Sequence, residues 1–478
     1  MNDVAITSLE GAAADRYGPA SLVAESLAQF TTGLSLARIP PAVVVQAKHL
    51  MLDAVGIALA STGFDFAHRT LTAMRALAGE GDTPVIGFPA LLPMRDAALV
   101  NGILIHGLDY DDTHIGGVVH PTASLLPTVL AVGARRRASC AAALTAYIAG
   151  VEAAARLGAV AKGGFHQIGF HPTGLVGAFA CALAAGKLMR LNQEQLVMAQ
   201  GITLSAAAGS LEFLEDGAWT KRFHPGWAAN AGITAAALAQ QGFVGPKRTY
   251  EGRFGLYPSH LQERHDPADL ALATRDLGEV WELMQVAVKP FPACHFTHAI
   301  ADAAIVLKRD HHIDARAIRH VEALVPAEVV KTVCEPVANK RRPANAYDAQ
   351  FSIPFIVAAA LIHDRFTLAE LTPEAISDPQ ILALADRVDY RVDPSSGFPR
   401  YYSGELIVAT EDGHSLRHRE HMNRGCGDRP LAKAEILHKF QDNATRAVAP
   451  ERAHEIGETM LGLDAAADLR DVARRLSA

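Results

Sequence analysis

Apolar residues recur at helical spacing along most of this chain, and an alternating pattern appears only in one late stretch. Residues 20–36 form an amphipathic pattern. Pro40-Pro41 then opens residues 42–60, which are apolar almost all round, with Gln46, Lys48, His49 and Asp53 as the polar breaks. Such a segment predicts a core helix, and His49 and Asp53, four apart, read as an internal pair. Residues 64–79 predict another helix and residues 82–88 a short extended piece. From 93 to 241 helix follows helix, dense in Ala and Gly, with no alternating run. That predicts a large α-helical domain. The texture changes near Trp281. Residues 299–307 predict a helix, 319–326 a strand, 329–333 an extended continuation, and 347–363 a helix. Residues 386–393 and 405–410 read as strands, the second meeting 415–419 across Asp412-Gly413. Helices return from Pro430, and residues 455–477 are amphipathic.

The expected architecture is mainly α with an inserted α+β lid. Residues 1–284 and 427–478 make up the helical domain, and residues 285–426 the lid. A length of 478 residues fits two domains. Half the residues are hydrophobic and the net charge is −7, which excludes a nucleic-acid binder. The five cysteines are scattered without a CxxC pair, which suggests reduced thiols and a cytoplasmic setting. Residues 1–17 are expected not to be a signal peptide. The longest apolar runs, such as 174–186, read as buried helices too short to cross a bilayer.

The chemistry concentrates in Asn101-Gly-Ile-Leu-Ile-His-Gly-Leu-Asp-Tyr-Asp-Asp-Thr-His114, followed by Gly116-Gly117 and His120-Pro-Thr. Read as a helix, this stretch puts His106, Asp109 and Thr113 on one face. Three readings compete: a solvated acidic helix end, a divalent-metal or magnesium–diphosphate site on Asp109, Asp111 and Asp112, and an acid/base and anchoring loop. The third is favoured because His-Pro before a small-residue helix occurs three times, at His120, His171 and His224. Helix N-termini suit carboxylates, and a histidine beside one can move a proton. Lys221 and Arg222 precede the third copy. Lys221 and Lys289 each sit among apolar residues, where partial desolvation would lower a lysine pKa. Together these features suggest a convergent polycarboxylate site.

The chain resembles the MmgE/PrpD family, which includes 2-methylcitrate dehydratase, cis-aconitate decarboxylase and iminodisuccinate epimerase. The resemblance rests on Asn101-Gly-x3-His-Gly-Leu-Asp-Tyr-Asp-Asp-Thr-His, Phe170-His-Pro-Thr-Gly and Ala218-Trp-Thr-Lys-Arg-Phe-His-Pro-Gly-Trp. It continues through Glu251-Gly-Arg-Phe-Gly-Leu-Tyr, Lys289-Pro-Phe-Pro-Ala and Tyr347-Asp-Ala-Gln-Phe-Ser. It implies a homodimer acting without metal or organic cofactor on small di- and tricarboxylates. Carried over motif by motif, the catalytic residues are Asp109, Thr113, His120, His171, Lys221 and Lys289. Arg222, His224, His295 and His298 are expected to bind substrate. The family's decarboxylases carry a histidine five residues after the lysine matching Lys289; here that residue is Cys294, with His295 next. Elimination of water therefore ranks first, epimerisation second and decarboxylation third. A non-catalytic carboxylate-binding protein is the alternative from another class. In the expected mechanism Lys221, Lys289 and the three His-Pro helix starts hold substrate carboxylates, Asp109 orients His120 or a neighbouring base, Thr113 bonds the Asp109 carboxylate, and one of His120 and His171 takes the alpha proton while the other delivers one.

Overall fold

The computed structural model describes residues 22–477 apart from residue 426. The N-terminal leader question and the fifth cysteine, Cys426, lie outside those residues. The helical body runs through α1 (Val23–Gly33), α2 (Pro41–Ser61), α3 (Asp65–Ala78), α4 (Met94–His106), α5 (Pro121–Arg136) and α6 (Cys140–Val160). It continues with α7 (Gly164–Ile168), α8 (Pro172–Leu188), α9 (Gln193–Thr203), α10 (Phe213–Asp216) and α11 (Thr220–Gln240). Helix α8 is apolar all round and packs against α5, α6 and α11, so it is buried on every side.

Short strand pairs pin the loops: β1 (Thr83–Pro84) with β2 (Leu91–Leu92), and β3 (Thr113–His114) with β4 (Val286–Ala287), both antiparallel. The β3 pair lies in a stretch with no strand pattern, because its partner is remote in sequence. The main sheet has the order β6-β5-β7-β8, with β5 (Ile318–Val325), β6 (Val388–Val392), β7 (Gly404–Thr410) and β8 (Ser415–Glu420). Strands β5 and β6 are parallel; the other pairings are antiparallel. This sheet falls wholly within the expected α+β segment. The helix His298–His311 packs against the sheet at β7 and β8, and the apolar helix Ile353–His363 packs on that helix. The C-terminal helix Lys433–Ala444 returns to α2, where a Cβ at Gly56 would lie 2.9 Å from the Phe440 ring.

Several expectations need correction. Helix α4 stops at His106 and does not run through Asp109, whose φ of +49° is left-handed. Asp is one of the few residues that accept this conformation. Residues 330–333 are a short helix after a 3-10 turn, not a strand. The 347–363 helix is two pieces, divided where Ser352 caps the second by accepting from the Phe355 N–H. The 455–477 stretch is likewise divided between Pro450–Leu461 and Leu469–Arg475. Among the described residues two helices, α2 and α6, are long and apolar enough to cross a bilayer by length and composition, but each is mostly buried inside the protein. The described cysteines are unpaired.

Candidate active site

Helices α4 and α11 cross backbone to backbone. A Cβ added at Gly102 would lie 2.6 Å from the Cα of Gly226, so neither position tolerates a side chain. This crossing sets the His106 end of α4 beside the first turns of α11, which carry Lys221 and His224. Pro121 and Pro172 sit at the first positions of α5 and α8, with His120 and His171 as the N-cap residues. The third His-Pro differs: His224-Pro225 lies inside α11, which begins at Thr220. Two of the three copies are therefore helix starts.

These elements enclose a cavity of about 30 Å³. The helical body contributes Thr113, His120, His166, His171, Phe213 and Lys221. The α+β segment contributes Cys294, His295, Phe296, Thr332, Phe351 and Tyr402. Val118 and Leu214 complete the wall, and none of the described residues lining it is a carboxylate. Lys221 is thus the lysine that reaches the cavity, with its ammonium 4.8 Å from the centre of the Phe351 ring.

Asp109 and Lys289 stand behind that wall. Lys221 donates to Asp109 Oδ1 at 2.7 Å, and Lys289 donates to the same oxygen at 3.0 Å and to the Asp109 carbonyl at 2.8 Å. Burial alone would push the Asp109 carboxyl up, but Lys221 and Lys289 outweigh it and hold it well below the usual carboxylate range. Asp109 therefore organises lysines and does not orient His120. Lys289 is fully buried on Asp109 and does not face the cavity.

The histidines have other partners. His120 Nδ1 lies 2.7 Å from the Asp112 carbonyl and 3.1 Å from Thr113 Oγ1, and its backbone N–H donates to Thr173 Oγ1 at 3.0 Å. Thr113 thus serves His120 and not the Asp109 carboxylate. His106 Nδ1 lies 2.8 Å from the Asp111 carboxylate. Asp111 is held at about 2, because His106 and then His120 outweigh the upward push of burial. Asp112 is pushed up to about 8, chiefly by burial, despite its hydrogen bonds with Thr122. His171 Nδ1 meets His224 Nδ1 at 3.0 Å. Burial and then Lys289 push His120 well below its ordinary value; burial and then His224 do the same to His171. Both rings are neutral near pH 7.

Among the residues expected to bind substrate, His295 lines the cavity, and Asn423 lies 2.5 Å from its Nε2. His298 sits behind it, with its Nε2 bonded to the Ala293 carbonyl at 3.1 Å. His224 backs His171. Arg222 donates to the Gly107 carbonyl at 2.8 Å and is sandwiched between the Phe66 and Tyr347 rings, facing a separate groove. His49 is not the partner of Asp53. Lys439 donates to Asp53 and to the Tyr110 carbonyl, each at 2.8 Å, so the C-terminal helix pins the loop beside Asp109. Sequence reasoning also missed His106 and Asp111 as a pair, His166, and the aromatic wall.

Among the described residues two groups of ligand-type side chains converge to within 4.8 Å: His106, His120 and His171, and His106, Asp109 and Asp111. The second group is opposed by the two ammonium groups already on Asp109 Oδ1.

Comparison with known proteins places these motifs. The MmgE/PrpD N-terminal domain matches residues 25–267 and the MmgE/PrpD C-terminal domain residues 291–465. The chain is 28% identical to human cis-aconitate decarboxylase, over 94% of this chain and 92% of that protein. It is 25% identical to cis-aconitate decarboxylase of Aspergillus terreus, over 94% of each. It is also 26% identical to a cis-aconitate decarboxylase-like protein of Aspergillus oryzae, over 96% of this chain and 98% of that one. With both domain types matched in order around this cavity, the chain belongs to the MmgE/PrpD family.

Proposed function

We propose that the chain is a lyase that acts on a small di- or tricarboxylate in this cavity, without metal or organic cofactor. The observation that carries the reading is the wall itself: one ammonium group, four histidines held neutral by burial, and no carboxylate among the described lining residues. A lysine in a water-poor pocket attracts a substrate carboxylate and stabilises charge that grows on it. A neutral imidazole can accept or deliver a proton near neutral pH.

The relatives are named for decarboxylation, which moves loss of carbon dioxide ahead of water elimination and epimerisation. In that reaction the bond to one carboxylate carbon breaks and its electron pair passes into the adjoining unsaturated system. An imidazole N–H then protonates the carbon that holds it. One proton is consumed and one carbon dioxide released. Elimination of water remains the second reading on one observation. Cys294 lies in the wall where a decarboxylase histidine is expected, and its thiol is pushed up to about 11 by burial and then by Asp109.

A cavity of about 30 Å³ holds about two waters, so its walls must part for a tricarboxylate to enter. The test is to incubate the purified protein with cis-aconitate, citrate and methylcitrate, following carbon dioxide release and the ultraviolet absorbance of new double bonds in parallel. Carbon dioxide from cis-aconitate supports the first reading, and new absorbance from a hydroxy acid the second. Turnover of none of them contradicts both.

A further inference from the structure

The hydrogen bonds around the cavity fix where protons sit. A backbone carbonyl only accepts, so His120 donates its Nδ1–H to Asp112, and Thr113 Oγ1 takes the longer branch. His120 is neutral, so its Nε2 is a bare lone pair. His106 likewise gives its Nδ1–H to the Asp111 carboxylate. One nitrogen from each of His106, His120 and His171 falls within 4.8 Å of the others. The Nε2 atoms of His106 and His171 are buried without a protein partner.

The His171–His224 contact joins Nδ1 to Nδ1 at 3.0 Å, so one of the two nitrogens carries the proton and the other accepts it. If His171 carried it, its bare Nε2 would stand near the bare Nε2 of His120, lone pair against lone pair. If His224 carries it, His171 presents Nε2–H, a donor toward the His120 acceptor. The second arrangement is electrostatically complementary and the first is not.

We propose that His224 is a positioning residue. Its Nδ1–H donates to His171 Nδ1 and holds His171 as the Nε2–H donor of the cavity, opposite His120, whose bare Nε2 is the acceptor. This splits the pair into a proton-delivering and a proton-accepting histidine. The roles rest on the lyase reading, but the proton map is a property of the resting protein.

The first test is nitrogen NMR of the full chain labelled with ¹⁵N-histidine, with the two rings assigned from the His171→Gln and His224→Gln spectra. His171 is expected to show a protonated Nε2 and a bare Nδ1, and His224 a protonated Nδ1. A protonated Nδ1 on His171 overturns the proposal, whether or not a substrate is known. The second test compares His224→Asn, whose amide falls near the position of Nδ1, with His224→Gln, whose amide falls near Nε2. His224→Gln should lower kcat by about 10-fold or more, toward the ~10²–10⁴ expected for loss of the acid itself. KM should change by less than about threefold. His224→Asn should recover most of the loss. Equal activity in wild type and both variants overturns the proposal, as does an equal loss in both with KM raised. If the wild type turns over no carboxylate, the lyase reading fails while the NMR result still decides the proton map. Should His224→Gln fail to fold, the wild-type spectrum and His224→Asn carry the decision.

Discussion

Lys289 grips Asp109 twice, through the backbone carbonyl at 2.8 Å and the carboxylate at 3.0 Å. The backbone contact matters because Asp109 sits at a left-handed turn. The side-chain contact makes Asp109 a bridge to Lys221, and so to the cavity. With Lys289 removed the Asp109 carboxylate keeps Lys221, so the loss is that of hydrogen bonds to a charged group, each typically about 1.5–3 kcal/mol. Lys289→Met should destabilise the protein by that order, shown by a lower urea midpoint, and should lower kcat because Lys221 loses its alignment. Lys221→Met should also raise KM, because Lys221 lines the cavity.

Acid should unfold the protein earlier than carboxylate protonation alone would. Burial, the largest cause in every case, lowers His120, His166, His171, His224, His295 and His298, with His166 at about 4 and His224 at about 3. The unfolded chain takes up protons on these residues near the ordinary value of 6.5, before the folded state does. Their stabilisation is thus fully present above about pH 6.5 and lost as pH falls toward the folded values. Urea midpoints measured downward from about pH 7 should fall steadily, at about 1.4 kcal/mol per unit for each group. His171→Gln should flatten that slope.

Asp112 works in the opposite direction. Its carboxyl is raised to about 8, so between about 4 and 8 the folded state keeps a proton that the unfolded state has released. That contribution makes stability fall as pH rises through the window. Asp112→Asn carries no titrating proton and can still bond Thr122. It should fold, and thermal melts between about pH 5 and 8 should lose that component of the pH dependence.

Exhaustive chelation should leave the rate unchanged. His120 and His171 are assigned to proton transfer, and Asp109 is occupied by lysines. Loss of activity on chelation, restored by a divalent ion, would show that the convergent histidines hold a metal.

The helices were legible because their apolar spacing is local: α2 and α8 begin at the prolines that announce them. So were the strands β5 to β8, and the cavity residues His120, His171 and Lys221. The partners were not legible. Reading helical spacing through Asp109 put Thr113 on its face, whereas the chain turns at Asp109 and carries Thr113 to His120. Asp53 was matched with His49 by spacing, but its cation, Lys439, arrives from the C-terminal helix. His224-Pro looked like a helix start, although α11 begins four residues earlier. In each case a tertiary contact between remote segments overrode a local pattern.

The central claim is that His120 and His171 transfer protons to or from a small polycarboxylate in this cavity. The measurement that tests it most directly is proton NMR of cis-aconitate turnover in D₂O by wild type, His120→Gln and His171→Gln, with circular dichroism confirming the fold. The account predicts that wild type releases carbon dioxide and leaves one solvent deuterium on the product carbon. It predicts that His171→Gln loses about 10²–10⁴ in kcat. His120→Gln should lose as much if the reaction also needs a base. If His171→Gln keeps more than about a tenth of wild-type kcat, or if wild type turns over no polycarboxylate, the claim is contradicted.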